Sequence, residues 1–109
     1  LEYTTLRYIA AASAGDEPGT EVSLLKLRGS EVQQGTTELL FEAVGHYGLP
    51  HVADDLEGRN EPPIGPDYAA PLSPQYFNHR KISIYAGSNE IQKNIIAQRG
   101  LNLPRAPRR

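Results

Sequence analysis

The chain has 109 residues, 39% of them hydrophobic and 22% charged, which bounds it to one domain of ordinary globular composition with a modest core. Its formal net charge of −2 supplies no global attraction for nucleic acid or for an anionic membrane. Without cysteine there is no disulfide framework, no thiol chemistry and no thiolate metal site, and a cytoplasmic location is permitted and expected.

No apolar run approaches the roughly 20 residues that span a bilayer, and no signal peptide is visible. Methionine is absent and Leu1 opens inside a helical pattern, so the chain is expected to be a piece of a longer protein. Residues 1–14 read as a helix with Leu6, Ile9 and Ala10 apolar and Gly15 as its stop. Thr20 is placed to cap a second helix over residues 20–47. Val22, Leu25, Gly29, Val32, Thr36, Leu39, Ala43 and Tyr47 alternate three and four apart along it. That is the spacing of a helix packed lengthwise in a bundle, and such a helix would be roughly 40 Å long. Gly29 and Gly35 each cost about 1 kcal/mol against alanine inside a helix. Two readings of them stand: tolerated surface glycine, or close approach by another helix or a ligand.

Residues 49–74 lose the pattern. Pro50, Pro62, Pro63, Pro66, Pro71 and Pro74 preclude a continuous helix there, and a loop this long in a compact domain is usually functional or packs on something outside the chain. Helical character resumes over residues 75–85. A last helix runs over residues 88–98, with Gly100 and Pro104 beyond it. Gly87 permits a tight turn before this helix, Ser88 is its cap and Glu90 lies in its first turn. Ile91 and Ile95, four apart, share a face suited to a core. The basic residues Arg105, Arg108 and Arg109 read as a solvated tail. No strand alternation is present; the fold class is all-α, an antiparallel helical bundle.

No metal site is expected. His46 and His51 flank the helix-breaking Gly48, Leu49 and Pro50, His79 stands alone, and Glu42 and His46 are four apart where a di-iron bundle uses three. Glu31, Glu38 and Glu42 read as a solvated stripe. No phosphate-binding glycine loop follows a strand. These residues alone imply a soluble helical domain and no more.

The string Ile84-Tyr85-Ala86-Gly87-Ser88-Asn89-Glu90-Ile91-Gln92-Lys93-Asn94-Ile95-Ile96-Ala97 closely resembles the flavin-contacting motif near the C-terminus of acyl-CoA dehydrogenases. Residues 24–34 resemble the long helix of that family's C-terminal domain. Gly65-Pro66-Asp67-Tyr68-Ala69 and Tyr76-Phe77-Asn78-His79-Arg80-Lys81 resemble the segments before the motif. The pattern is especially similar to large subunits of bacterial pimeloyl-CoA dehydrogenase and to actinobacterial steroid side-chain or fatty-acyl members. The resemblance implies that residues 1–109 are most of a C-terminal four-helix-bundle domain.

It further implies an FAD-dependent oxidoreductase of fatty-acid β-oxidation type, taking acyl-CoA to trans-2-enoyl-CoA. Electron-transfer flavoprotein would accept the electrons, and the assembly would be a homo- or hetero-oligomer, typically a tetramer. By match, Ala86 and Gly87 line the substrate, the Ala86 backbone N–H polarising the thioester carbonyl. Ser88, Asn89 and Glu90 match FAD contacts. Glu42, Gly45 and His46 match, more weakly, a Gln-x-x-Gly-Gly segment that touches a neighbouring subunit's dinucleotide; a glutamate replaces the amide and a histidine the second glycine. Many members carry a catalytic glutamate where this chain has Ala86, so no catalytic side chain is assigned here. Relatives with Ala-Gly at this turn, such as isovaleryl-CoA dehydrogenase, take the base from an earlier bundle helix. The alternative is a catalytically silent structural subunit of a heteromeric complex.

Overall fold

The computed structural model describes residues 1–17, 19–50, 60, 62 and 64–105. Among these residues there are four α-helices and no strand: α1 Glu2–Ser13, α2 Glu21–Ala43, α3 Leu72–His79 and α4 Asn89–Ile95. None of them is long and apolar enough to cross a membrane.

α1 begins with both the backbone N–H and the Oγ1 of Thr5 bonded to the Leu1 carbonyl. It stops where the sequence calls for a stop. Gly15 adopts φ +94°, its N–H reaches the Ala12 carbonyl and the Asp16 N–H reaches the Ala11 carbonyl. This is the paired closure that a glycine after the last helical turn makes possible. α2 follows, its first hydrogen bond running from the Leu24 N–H to the Thr20 carbonyl.

α2 ends at Ala43, short of the expected residue 47. Gly45 turns to φ +54°, and residues Gly45–Gly48 wind into a tighter 3₁₀ turn. Gly48 is buried there; a Cβ on it would lie 2.9 Å from the Phe41 ring and 3.2 Å from Val44. The four-residue continuation in the sequence pattern is therefore a fold-back against Phe41, which no local periodicity encodes.

The expected loop over residues 49–74 falls in part outside the described residues, as does His51. Its described end is a series of turns, with the Ala69 N–H bonded to the Pro66 carbonyl and the Leu72 N–H to the Ala69 carbonyl. α3 starts at Leu72, three residues before the expected Gln75. Pro71 precedes it and Pro74 occupies the first turn, where a missing N–H removes no helical bond.

The chain divides into two compact units, Leu1–Glu31 with Ser83–Arg109, and Val32–Ile82. In the first, Ser23, Leu27 and Ser30 of α2 are buried, four and three apart, and α1 buries no side chain. In the second, the Phe41 and Tyr76 rings stack at 5.0 Å, Tyr76 meets Phe77 edge-on at 5.3 Å, and Ala69, Ser73, Thr37 and Ile82 are buried.

The face of α2 that is covered differs from the expected one. Val22, Val32, Leu39 and Tyr47 of the apolar stripe are exposed. The small and polar side chains turn inward instead. Ile91, expected to face a core, is also exposed, at 53%. Among the described residues, buried hydrophobic side chains are Leu27, Ala69 and Ile82, against nineteen large hydrophobic side chains that are exposed. Such a ratio leaves apolar faces uncovered among the described residues.

Candidate functional site

The 3₁₀ turn Arg80–Ser83 leads into an open turn over residues 84–88. Ala86 has φ +55° and Gly87 φ +86°, two successive residues in the left-handed region. At Gly87 that conformation suits glycine; at Ala86 it costs a Cβ-bearing residue about 1 kcal/mol or more. The turn then resolves at Ser88, whose Oγ accepts the Ile91 N–H at 3.3 Å and starts α4. The sequence-derived cap is thus in place. Ile84 and Tyr85 flank the turn with exposed apolar surface, at 69% and 51%. Ala86 and Gly87 are themselves exposed, and no described backbone carbonyl takes the Ala86 N–H.

Asn89 is the best-anchored residue of the site. Its Oδ1 accepts from Lys26 Nζ at 2.7 Å, and its Nδ2 donates to Ser30 Oγ at 3.0 Å. Ser30 is 2% exposed and its hydroxyl donates to the Leu27 carbonyl at 2.8 Å. An ammonium only donates, so Lys26 fixes which end of the Asn89 amide is oxygen. Glu90 is exposed in the first turn of α4. Lys26 and Ser30 are partners that the sequence reading did not single out. Both lie on one face of α2, four residues apart, but nothing local links them to a residue 63 or 59 positions away.

The second candidate region stands by itself at the end of α2. Glu42 and His46 are exposed, and Gly45, at φ +54°, has nothing within 4 Å of the place a Cβ would occupy. Helix C-termini carry partial negative charge, and Glu42 adds a carboxylate. This end suits an anionic dinucleotide poorly. Glu31, in the first unit, pairs with Arg28 at 2.7 Å on the surface. Among the described residues no group of three or more His, Asp or Glu side chains is placed to hold a metal.

Residues 1–101 match the family described as acyl-CoA dehydrogenase, C-terminal domain. The chain belongs to that family. It is also 38% identical over 73 residues to acyl-CoA dehydrogenase IpdE1 of Mycolicibacterium smegmatis, a stretch that covers 67% of this chain and 18% of that protein. The matched stretch therefore spans less than a fifth of the length of this relative. No solved structure matches the chain. Within the acyl-CoA dehydrogenase domain, the turn bearing Ala86 and Gly87 lies in the matched span, and so do Lys26, Ser30 and Asn89.

Proposed function

We propose that this chain is the C-terminal helical part of an FAD-dependent acyl-CoA dehydrogenase, which converts an acyl-CoA thioester to trans-2-enoyl-CoA. The observation that carries the reading is the exposed left-handed turn at Ala86 and Gly87, set in a chain of this family with the Ala86 N–H uncommitted. A backbone donor held by its own turn is suited to charge that develops on a thioester oxygen, because it needs no reorganisation.

The residues fit a flavin unequally. The open turn and the exposed Glu90 leave room for one, whereas Ser88 Oγ is committed to its cap and the Asn89 amide to Lys26 and Ser30. Asn89 therefore contributes by fixing the helix start rather than by reaching out with its amide. Glu42, Gly45 and His46 fit the dinucleotide worst, for the charge reason given above. FAD, when bound, supplies a hydride acceptor for the β-hydrogen. Ala86 donates its N–H to the carbonyl and, having only a methyl side chain, moves no proton. The α-proton needs a carboxylate from outside residues 1–109, on a preceding helix. Acyl-CoA is the substrate, electron-transfer flavoprotein the electron acceptor, and a homo- or hetero-oligomer the assembly that covers the exposed apolar faces.

A second reading, a silent subunit whose partner holds flavin and base, is favoured by two residues: the methyl of Ala86 where many members have glutamate, and the carboxylate of Glu42. Purification of the whole protein separates the two. An enzyme carries flavin that acyl-CoA bleaches under anaerobic conditions, with enoyl-CoA as product. A silent subunit carries none, or holds flavin that acyl-CoA leaves oxidised.

A further inference from the structure

We propose that Lys26 is a positioning residue that sets the substrate-facing turn, acting through Asn89 and Ser30. Ala86 and Gly87 both hold left-handed backbone; for Gly87 that is free, but a Cβ-bearing residue such as Ala86 persists there only where its surroundings over-determine it. Upstream, Ile84 and Tyr85 are exposed and give the turn little packing. Downstream, Ser88 is tied only to its own helix, by the cap bond from the Ile91 N–H at 3.3 Å and by its carbonyl, which accepts the Gln92 N–H at 3.0 Å. The strong tether is the next residue, Asn89.

Its amide closes a relay that runs from Lys26 to the backbone of α2, with the Ser30 hydroxyl also within reach of Asn89 Oδ1 at 3.1 Å. Lys26 Nζ donates to Asn89 Oδ1 at 2.7 Å, Asn89 Nδ2 donates to Ser30 Oγ at 3.0 Å, and Ser30 Oγ donates to the Leu27 carbonyl at 2.8 Å. The first bond is charge-assisted and short, as ammonium–carbonyl contacts are. The last ends on the backbone of α2, in the turn of helix that also carries buried Leu27. Three residues after Ala86, the chain is thereby pinned to the long helix. Release of that pin lets residues 86–88 relax, and the N–H of Ala86 moves with them. Misplacement of a catalytic donor by about 1 Å costs on the order of 10²-fold in rate.

The inference rests on the dehydrogenase reading for its kinetic arm, so the test has a second arm that does not. In the whole protein, Lys26→Met and Asn89→Ala are compared with wild type by stopped-flow flavin reduction and by hydrogen–deuterium exchange over residues 84–90. Each variant is expected to lower the limiting reduction rate by about tenfold to hundredfold, with little change in the apparent dissociation constant for acyl-CoA, and to speed exchange in the turn. The double variant is expected to be no slower than either single one, because both break one relay. Lys26→Arg, which keeps a cationic donor, restores much of the rate, and Arg28→Gln, on the solvent side of α2, leaves it unchanged. Wild-type reduction in Lys26→Met, or additive losses in the double variant, overturns the proposal. If Lys26→Met does not accumulate, Ser30→Ala decides: a severalfold loss supports the relay and an unchanged rate refutes it. If wild type itself reduces no flavin, the enzyme reading fails, and the exchange arm alone tests the tether: unchanged exchange over residues 84–90 overturns it.

Discussion

Gln34 and Arg80 hold each other by their backbones. Gln34 Nε2 donates to the Arg80 carbonyl at 3.1 Å, and Arg80 Nη2 donates to the Gln34 carbonyl at 2.9 Å. The same Gln34 amide reaches the His79 carbonyl at 3.3 Å, and the Arg80 guanidinium lies 4.5 Å from the Tyr76 ring centroid. The clamp joins α2 to the end of α3; removal of the Gln34 amide takes a donor from the His79 and Arg80 carbonyls, whereas the Gln34 carbonyl keeps Thr37 Oγ1 as a donor at 3.0 Å when Arg80 is removed.

Arg80→Ala is expected to destabilise the protein by about 2–3 kcal/mol, since a charged hydrogen bond and a ring contact go together. Gln34→Ala costs about 1 kcal/mol. Arg80→Lys recovers less than half of the loss, because an ammonium lacks the planar fork that spans carbonyl and ring. Denaturant titration measures all three, and losses under 0.5 kcal/mol on the ~1 kcal/mol scale of such bonds contradict the clamp.

The glycines separate two kinds of site. Gly48→Ala drives a Cβ to within 2.9 Å of the Phe41 ring and is expected to cost about 1–3 kcal/mol by overpacking. Gly29→Ala and Gly35→Ala meet nothing within 4 Å, so in this chain each stabilises α2 by up to about 1 kcal/mol. Of the two readings open from sequence, surface tolerance is the one that the described residues support. Circular dichroism melts of the three variants check the order; a destabilised Gly29→Ala chain contradicts it.

Signals that act within four or five residues are legible in the sequence. Gly15 ends α1 with the left-handed closure its position implies, Ser88 caps α4, and the all-α class follows from the absence of alternation. What is not legible depends on distant partners. The apolar spacing from Val22 to Tyr47 is a real helical stripe, but periodicity says only that one face is apolar, not that this chain covers it. The buried face is carried by Ser23, Leu27 and Ser30, two of whose side chains look polar in sequence. The end of α2 falls earlier than expected because Gly48 packs back on Phe41, and the start of α3 because Pro74 is tolerated in a first turn. At the candidate site, the turn and its cap are readable; the grip of Lys26 on Asn89, 63 residues away, is not.

Ala86 offers a test of backbone against side chain. Ala86→Gly relieves the left-handed strain by about 1 kcal/mol and keeps the N–H, so flavin reduction is expected within about threefold of wild type, with binding retained. Ala86→Pro removes the N–H and forbids φ +55°. A loss of about 10²-fold or more is expected, read alongside flavin content so that misfolding is seen as such. Equal rates in the two variants contradict the backbone role.

Residues 1–109 alone are expected to be colourless and inactive toward acyl-CoA, because nineteen large hydrophobic side chains stand exposed among the described residues and the proposed base belongs to a preceding helix. The whole protein, by contrast, is expected to sediment as an oligomer, with a tetramer the leading size. A yellow 109-residue chain with stoichiometric flavin, or a monomeric whole protein at micromolar concentration, contradicts this.

Ala86 is expected to serve through its backbone while a carboxylate from a preceding helix removes the α-proton. Base catalysis contributes typically 10²–10⁴-fold, so its loss is unmistakable. The measurement is the limiting rate of flavin reduction by acyl-CoA in the whole protein, with each upstream glutamate changed in turn to glutamine. One such variant is expected to keep its flavin and lose reduction, whereas wild type is bleached. A wild type that holds flavin and is never bleached, or a set of variants in which no single change matters, contradicts the account.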